Sequence, residues 1–224
     1  MNTTTAKIWG PGISVILPTW GRPDETYETG LHLLDQLHRP LELLVSVDGD
    51  AYPNYYGVLA KLKKIYDGTN GLTMQGLELG WRMTEELPNS FAMGALMNGV
   101  LHAKHPYHTW FCDDEKAAPD HLSSLMALIQ QKNVDFVYPK VYLWRPSDPD
   151  GGLDIGLSTP MFGHFTTALY HRRVLSKGMY RFLMPKQCAA EPVPHDWDLA
   201  SQWVRGGASW AMLDRVTMSH RADH

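Results

Sequence analysis

The sequence predicts an α/β fold, with a mostly parallel sheet flanked by helices on both faces, for a chain of 224 residues. Short apolar runs typical of buried strands alternate with segments of helical periodicity over residues 13–138. Polar residues follow several of these strands, as they do in open α/β sheets that bind ligands. A hydrophobic content of 44% and a charged content of 20% are those of an ordinary globular domain.

The first half of the chain predicts three strands separated by two helices. The elements in order are a strand over residues 13–17, a helix from Asp24 to before Pro40, a strand over 41–47, a helix around 58–65 and a strand over 72–77. Asp24 is suited to cap the first helix, whose apolar residues recur at helical spacing. The second helix is ended by Asp67-Gly68.

The second half continues this alternation and then changes character. It predicts a helix from Asn89 or Ser90 through Ala103, a buried strand over 109–112, a helix over 122–129 and a strand over 134–138. Residues 139–165 are rich in Pro, Gly and Asp and predict a long loop, a feature that often forms a lid or a binding loop. Beyond it we expect short strands and a helix from about Asp196 to Arg205.

Three polar groups are expected to meet at one edge of the sheet. Right-handed crossovers bring the strand ends together, which places Pro18-Thr19, Asp48 and Asp113-Asp114-Glu115 at the same edge. Adjacent carboxylates repel each other unless they are solvated, hydrogen-bonded or holding a cation. Their oxygens suit Mg²⁺ or Mn²⁺, which usually bind together with substrate phosphates. Taken alone, the acidic run could equally be a solvated loop.

Charge and cysteine content exclude several classes of protein. The net charge of −4 argues against a general polyanion binder, although residues 160–224 carry a net charge of +3 and five of the eleven histidines. There is no apolar run of membrane-spanning length, and the first residues lack the pattern of a signal peptide. Two cysteines, Cys112 and Cys188, are too few for a disulfide scaffold. A reduced, cytoplasmic location is therefore expected.

Five motifs read together resemble glycosyltransferase family 2 of the GT-A fold. They are Ile13 to Pro23, Val47-Asp48-Gly49, Gly94 with Asn98, Gly99 and Ala103, Phe111 to Glu115 with Pro119, and His195 to Leu199. The similarity runs from about Ile13 to Leu199, with a looser match to His220. It implies a single GT-A domain over residues 1–224, in which about 8–138 bind the nucleotide sugar and about 139–224 bind the acceptor.

The resemblance places the donor-binding residues in the first half of the chain. Pro18 and Thr19 match the loop that contacts the base and the ribose, and Arg22 matches a nearby polar position. Asp48 matches the carboxylate that accepts a hydrogen bond from a uracil-type N–H group. Asp113 is assigned to the same donor-binding set.

The Asp-x-Asp motif of the family can be aligned in two registers. Counting back from Pro119 places Cys112 at the first Asp and Asp114 at the last, which is the metal ligand. Counting from the acidic run makes Asp113 and Glu115 the pair instead. We prefer the first register because it keeps the strand length, and in that register a cysteine replaces one carboxylate.

A C-terminal histidine is expected to complete the metal or diphosphate site. His220 resembles the position that has this role in many GT-A enzymes, and His224 could substitute for it. The resemblance therefore implies Mn²⁺ or Mg²⁺ as the cofactor.

The acceptor side is expected to form around the last helix. Asp196 matches the general base, and His195 replaces a Glu of the family. An aspartate at a helix start is also a common cap, and both roles are compatible. His164, Thr166 and Thr167 lie where the acceptor loop of the family passes.

The expected function is metal-dependent transfer of a sugar from a nucleoside diphosphate, UDP first, to an acceptor hydroxyl with inversion. The acceptor is expected to be of saccharide type, with a modified DNA base second. A nucleotidyltransferase making NDP-sugars is an alternative, but the loop over residues 18–23 is short and contains one basic residue. A non-catalytic sugar-nucleotide-binding relative is a third reading, suggested by Cys112 and opposed by Asp114 and Asp196. No integral membrane association is expected, and the oligomeric state is left open.

Overall fold

The computed structural model describes residues 6–80, 93–145, 148–156, 160, 167–179 and 195–221. Its strands are β1 (Ile8–Thr19), β2 (His38–Val47), β3 (Leu72–Glu78), β4 (Tyr107–Trp110), β5 (Glu115–Ala117), β6 (Phe136–Arg145), β7 (Asp148–Ile155), β8 (Leu169–His171) and β9 (Trp210–Arg221). They form one nine-stranded sheet in the order β3-β2-β1-β4-β8-β6-β9-β5, with β7 paired to β6. This mixed, mostly parallel sheet confirms the predicted α/β class.

Helices connect most of these strands. They are α1 (Pro23–Leu33), α2 (Tyr56–Asp67), α3 (Met93–His102), α4 (His121–Lys132) and α5 (His195–Arg205). Two 3₁₀ segments, Gly49–Tyr55 and Arg172–Ser176, follow β2 and β8. None of the helices in the described part of the chain has both the length and the apolarity needed to cross a membrane.

The parallel strands β3, β2, β1 and β4 form the half of the sheet that carries the acidic turn. Ile16 of β1 lies between Leu44 of β2 and Trp110 of β4 in the ladder. Side chains alternate between the two faces, so Val15 belongs to one apolar layer and Ile16 to the other. Strand β1 therefore has a nearly continuous apolar run, from Ile13 to Leu17, because both of its faces are covered.

The start of α1 and the start of β2 are among the boundaries of the first half that differ from the sequence prediction. Helix α1 begins at Pro23 after Arg22, so Asp24 lies in the first turn and not at the cap. Proline at the first helical position has a suitable φ and no N–H group to satisfy. Strand β2 begins at His38 and contains Pro40, which the sequence analysis used as a helix stop.

The predicted loop over residues 139–165 was wrong for much of its length. Strand β6 continues to Arg145 and pairs with β7, with Val141 opposite Ile155 and Tyr142 opposite Asp154. Gly152 lies against the Tyr142 ring, where a Cβ atom would stand 2.0 Å from Cζ. Glycine here permits a close approach between two strands, and its presence misled the sequence prediction towards a loop.

Strand β5 has a helix, not a strand, beside its second edge. One edge pairs antiparallel with β9. On the other side, Nε2 of His32 lies 2.7 Å from the Ala117 carbonyl oxygen and 3.0 Å from the Ala117 nitrogen. Gln36 Nε2 donates to the Ala118 carbonyl oxygen (2.8 Å), and its Oε1 accepts from the Leu122 N–H (3.1 Å). A single imidazole nitrogen either donates or accepts, so His32 of α1 satisfies one of the two Ala117 groups, while Gln36, just after α1, bonds to the backbone of Ala118 and Leu122.

Candidate functional site

The polar groups that follow β1, β2 and β4 come together at the carboxyl edge of the sheet. The Asp48 N–H donates to the Thr19 carbonyl oxygen (2.9 Å). Thr19 Oγ1 donates to Asp113 Oδ2 (3.1 Å) across 94 residues of sequence. Asp48 and Thr19 are both buried, at 2% and 3% exposure. Strand topology alone predicts this convergence.

Arg22 is the cation that faces the acidic turn. Its Nη1 atom lies 3.3 Å from Asp113 Oδ1 and 4.0 Å from Asp114 Oδ2. Both carboxylates are largely buried, while the guanidinium side chain is 43% exposed. Burial raises the pKa of Asp113, and the neighbouring Arg22 and the Thr19 hydrogen bond act in the opposite direction.

A buried polar network lies beneath this ion pair. The Tyr55 hydroxyl accepts from the Arg22 backbone N–H (2.8 Å) and lies 2.9 Å from Thr19 Oγ1. Thr26 Oγ1 lies 2.7 Å from the same Thr19 oxygen and donates to the Arg22 carbonyl oxygen (2.8 Å). The loop over residues 19–22 is therefore held by side chains from α1 and from the 3₁₀ segment after β2.

Glu115 joins the acidic turn to the end of β9. It is opposite His220 in the antiparallel β5–β9 pair. Its Oε2 accepts from the Cys112 N–H (2.8 Å), and its Oε1 lies 3.4 Å from His220 Nδ1. The same His220 atom lies 3.9 Å from Asp114 Oδ1. Burial raises the pKa of Glu115, and His220 opposes that shift.

These residues fit a divalent cation that is shared with a phosphate ligand. In the described ranges, no three His, Cys, Asp or Glu side chains already form a metal-binding group. Mg²⁺ and Mn²⁺ do not require one, since they commonly take one or two carboxylates and complete their shell with phosphate oxygens and water. Asp114 and His220 supply donor atoms of suitable chemistry within 4 Å of each other. The Arg22 guanidinium already shows that positive charge is favoured here.

A cleft of about 710 Å³ opens beside the acidic turn. It runs between α1 and the ends of β6 and β9, and its lining includes Arg22, Asp113, Asp114, Glu115, Trp144 and Arg221. A volume of this size accommodates a small-molecule ligand. The carboxylates are therefore accessible from a cavity in spite of their low exposure.

The remaining expected site residues have varied positions. Pro18 lies within β1, opposite Ser46 of β2. Thr167 is buried, and its hydroxyl donates to the Trp110 carbonyl oxygen (2.6 Å). His195 and Asp196 begin α5, but their side chains lie outside the described part of the structure. The residues His164, Thr166 and His224 also lie outside it.

Several basic residues of the second half, His171 to Arg173 among them, lie at the opposite edge of the sheet. Strand β8 runs antiparallel to β4, so His171 is opposite Tyr107 at the start of that strand. Arg172 and Arg173 follow directly, far from the strand ends that carry Thr19 and Asp113. The positive charge that they contribute to residues 160–224 therefore does not face the acidic turn.

Arg173 and the nearby Lys177 are both held by one carboxylate, that of Asp135. Arg173 Nε donates to Asp135 Oδ1 (2.9 Å), and Lys177 Nζ donates to Asp135 Oδ2 (3.0 Å). Burial acts to raise the pKa of Asp135, but bonds from Ser209, Lys177 and Arg173 lower it to about 2. This cluster ties the start of β6 to the segment after β8.

Two aromatic residues of the site were not assigned from the sequence. Trp20, next to Thr19, is 44% exposed at the edge of the site. A tryptophan in a short polar loop exposes an unusual amount of apolar surface. This feature of the sequence could have identified Trp20 as a site residue. Tyr55 carries no comparable signal, because its contacts with Thr19 and Arg22 depend on tertiary structure.

The fold and the acidic turn at the carboxyl edge define the GT-A class. The model of the family described as "Glycosyl transferase family 2" matches residues 14–179 of the chain. The chain therefore belongs to glycosyl transferase family 2, as its motifs indicated. No curated protein sequence matches it.

Solved structures share the fold at low sequence identity. TarS 1-349 from S. aureus is 15% identical with a TM-score of 0.64, and the match covers 94% of this chain and 60% of that one. TarS 1-349 in complex with UDP gives 16% identity, a TM-score of 0.64 and the same coverage. The mannosyltransferase PcManGT from Pyrobaculum calidifontis, in complex with GDP-Man and Mn²⁺, gives 17% identity and a TM-score of 0.68, covering 97% of this chain and 57% of that one. The chain thus spans about three fifths of the length of these proteins.

Proposed function

We propose that the protein transfers a sugar from a nucleoside diphosphate, with UDP as the expected nucleotide, to an acceptor hydroxyl with inversion. The observation that carries this proposal is the junction of Thr19, Asp48 and Asp113 at the carboxyl edge of a family 2 sheet. Complexes of similar folds with UDP and with GDP-Man support a nucleotide-sugar donor.

The nucleotide end of the donor is expected to lie over Thr19 and Asp48. Asp48 is a buried carboxylate, and a buried acceptor selects a ligand that presents an N–H group, as uracil does. Trp20 follows Thr19 directly and is 44% exposed, and we expect the base to stack on its ring. Asp113 adds a second acceptor, suited to a ribose hydroxyl.

The diphosphate is expected to lie against Asp114, His220 and Arg22. Asp114 and His220 would hold Mn²⁺ or Mg²⁺, which when bound neutralises the charge that develops on the leaving diphosphate. Arg22 is well suited to contact a phosphate, because its guanidinium is exposed on one side and presents several N–H donors.

Asp196 is proposed as the general base. The last turn of α5 is fixed near the amino edge, where Trp203 Nε1 donates to the Gly178 carbonyl oxygen (2.8 Å) and Lys177 Nζ donates to that of Gly207 (2.9 Å). We propose that α5 runs from there towards the carboxyl edge, a distance that its 11 residues, ~16 Å in length, allow its first turn to cover. There Asp196 would take the acceptor proton while the acceptor oxygen attacks the sugar carbon from the face opposite the diphosphate.

The acceptor is proposed to bind to the second half of the domain, about residues 139–224, while about 8–138 bind the donor. A saccharide-type acceptor is favoured over a modified DNA base. The basic residues Arg173 and Lys177 pair with Asp135 at the opposite edge of the sheet, so they provide no charged track beside the acidic turn.

The two alternative functions would require different sets of residues. A nucleotidyltransferase needs several basic groups around a triphosphate, whereas residues 18–23 contain Arg22 alone. A non-catalytic binding protein would retain the nucleotide pocket but would have no use for a base at Asp196. Product analysis can separate the three functions.

The test is an assay of UDP- and GDP-sugars with Mn²⁺, in which the release of free nucleoside diphosphate is measured with and without EDTA. We expect release from a UDP-sugar that is lost in EDTA and in Asp114→Asn. Asp120→Asn is the matched control, because Asp120 bonds to Arg215 and not to the site, and this variant should behave as wild type. Full activity in EDTA would exclude the metal assignment. Pyrophosphate release from UTP and a sugar phosphate would instead identify a nucleotidyltransferase.

A further inference from the structure

We infer that the hydroxyl group of Tyr55 positions the donor-binding loop, so that it controls nucleotide affinity without contacting the nucleotide. This inference rests on the proposed function. Tyr55 ends the 3₁₀ segment Gly49–Tyr55, which begins directly after Asp48. It therefore connects the segment behind the proposed base contact with the loop over residues 19–22.

The hydroxyl lies at a junction of two functional segments. Tyr55 is fully buried, yet its oxygen accepts from the Arg22 N–H (2.8 Å) and lies 2.9 Å from Thr19 Oγ1. Thr19 in turn bonds to Asp113 Oδ2 (3.1 Å). One hydroxyl thus links the backbone of the first loop to the acidic turn that follows β4.

The direction of each hydrogen bond follows from the chemistry of the partners. An ionised carboxylate can only accept, so Thr19 donates to Asp113. Tyr55 then donates to Thr19, because the single hydroxyl hydrogen of Thr19 is already used in the bond to Asp113. Burial raises the pKa of Tyr55 and keeps this donor protonated. A continuous chain therefore runs from the Arg22 amide to the Asp113 carboxylate, and successive bonds of this kind strengthen each other.

Tyr66 shows what a purely structural buried tyrosine does in the same core. It is also fully buried, and its hydroxyl donates to the Gly30 carbonyl oxygen (2.7 Å), which fastens α2 to α1. None of its hydrogen bonds among the described residues involves Thr19, Arg22 or Asp113. The two tyrosines have the same burial and the same chemistry and differ in what their hydroxyls hold.

Replacing each tyrosine by phenylalanine separates positioning from stability. Tyr55→Phe retains the ring but removes the acceptor for the Arg22 N–H and the donor to Thr19. We expect the Kd of UDP with Mn²⁺, measured by calorimetry, and the donor KM to rise about tenfold, with kcat within about twofold of wild type. Both variants should lower the melting temperature, and to a similar extent. Tyr66→Phe, however, should leave the Kd of UDP unchanged.

A double-mutant cycle tests the chain itself. If Tyr55 acts through Thr19, then Tyr55→Phe combined with Thr19→Val should weaken UDP binding no more than the stronger single change. Additive losses, or a Tyr55→Phe variant with wild-type UDP affinity well below its melting temperature, would overturn the inference. Wild-type protein that binds neither UDP nor GDP with Mn²⁺ would overturn the proposed function as well, so the two failures are distinguishable.

Discussion

Asp113 and Asp114 are adjacent in sequence but have different neighbours. Asp113 accepts from Thr19 and Arg22, which belong to the end of β1 and the loop after it. Asp114 approaches His220 of β9, at 3.9 Å. The two carboxylates therefore face different groups, which is the arrangement that the proposed donor role of Asp113 and metal role of Asp114 require.

The neighbours of Asp113 are easier to predict from the sequence than the contact between the acidic turn and β9. Thr19, Asp48 and Asp113 follow strands that are visible as apolar runs, so topology alone brings them together. The contact of Glu115 with His220 depends on how β9 pairs with β5, and 105 residues separate the two in sequence. No local pattern encodes such a pairing. The contacts of Tyr55 with Thr19 and Arg22 could not be predicted for the same reason.

The first prediction concerns the proposed base. Asp196→Asn should leave UDP affinity near that of wild type, because the residue acts on the acceptor, while transfer should fall by roughly 10²–10⁴-fold. Asp198→Asn on the same turn is the control, since Asp198 Oδ2 accepts from Gln202 within the helix (2.7 Å). Comparison of transfer rates with melting temperatures decides the role. A variant that melts earlier but transfers normally would make Asp196 a helix cap only.

At the scale of elements, the close packing of α3 on β1 depends on one glycine. A Cβ atom on Gly99 would stand 2.3 Å from Cγ2 of Ile16, which is itself 1% exposed. The side chain of Ile16 belongs to the apolar layer beneath the helix. Helix α3 can therefore approach the sheet only where a side chain is missing.

Two glycine-to-alanine changes should have opposite effects on stability. Gly99→Ala should lower the free energy of unfolding by about 1–3 kcal/mol, because the added methyl group overpacks a buried interface. Gly57→Ala, in the first turn of α2 with open space around it, should raise it by up to about 1 kcal/mol through helix propensity. Urea unfolding of both variants is the measurement. Equal stabilities would show that the sheet shifts to accept the methyl group.

The elements that sequence reasoning misplaced have a common cause. Strands buried on both faces were predicted well, because apolar content alone identifies them. Strand β7 was missed because Pro, Asp and Gly dominate its sequence, and these residues disfavour strands in isolation. Its pairing with β6 and the space that Gly152 leaves for Tyr142 override that local preference.

At the scale of the whole molecule, two buried histidines should make the fold sensitive to acid. Burial lowers the pKa of His108 to about 4 and that of His121 to about 3. A lowered pKa in the folded state means that stability is fully present above the unfolded value near 6.5 and is lost as pH falls below it. Asp113 and Glu115, with raised pKa values, act in the opposite direction.

The acid sensitivity can be measured by urea unfolding between pH 7 and pH 5. Each histidine should contribute a loss of up to about 1.4 kcal/mol per pH unit below pH 6.5. His108→Gln keeps a donor for the His105 carbonyl oxygen and removes the titration, so its stability should depend less on pH. His102→Gln, at an exposed position on α3, should retain the wild-type slope. Identical slopes for all three proteins would contradict the role of His108.

Helix α1 covers the free edge of β5, and this affects the tendency of the protein to aggregate at high concentration. An exposed strand edge offers free N–H and C=O groups to a strand of another molecule, which is a route to aggregation. Here His32 covers the Ala117 backbone and bonds to its N–H or its carbonyl oxygen, and Gln36 donates to the Ala118 carbonyl oxygen. A second chain would have to displace a packed helix before it could extend the sheet at this end. The side chains that hold α1 in place beside the acidic turn thus also oppose edge-to-edge association at this end of the sheet.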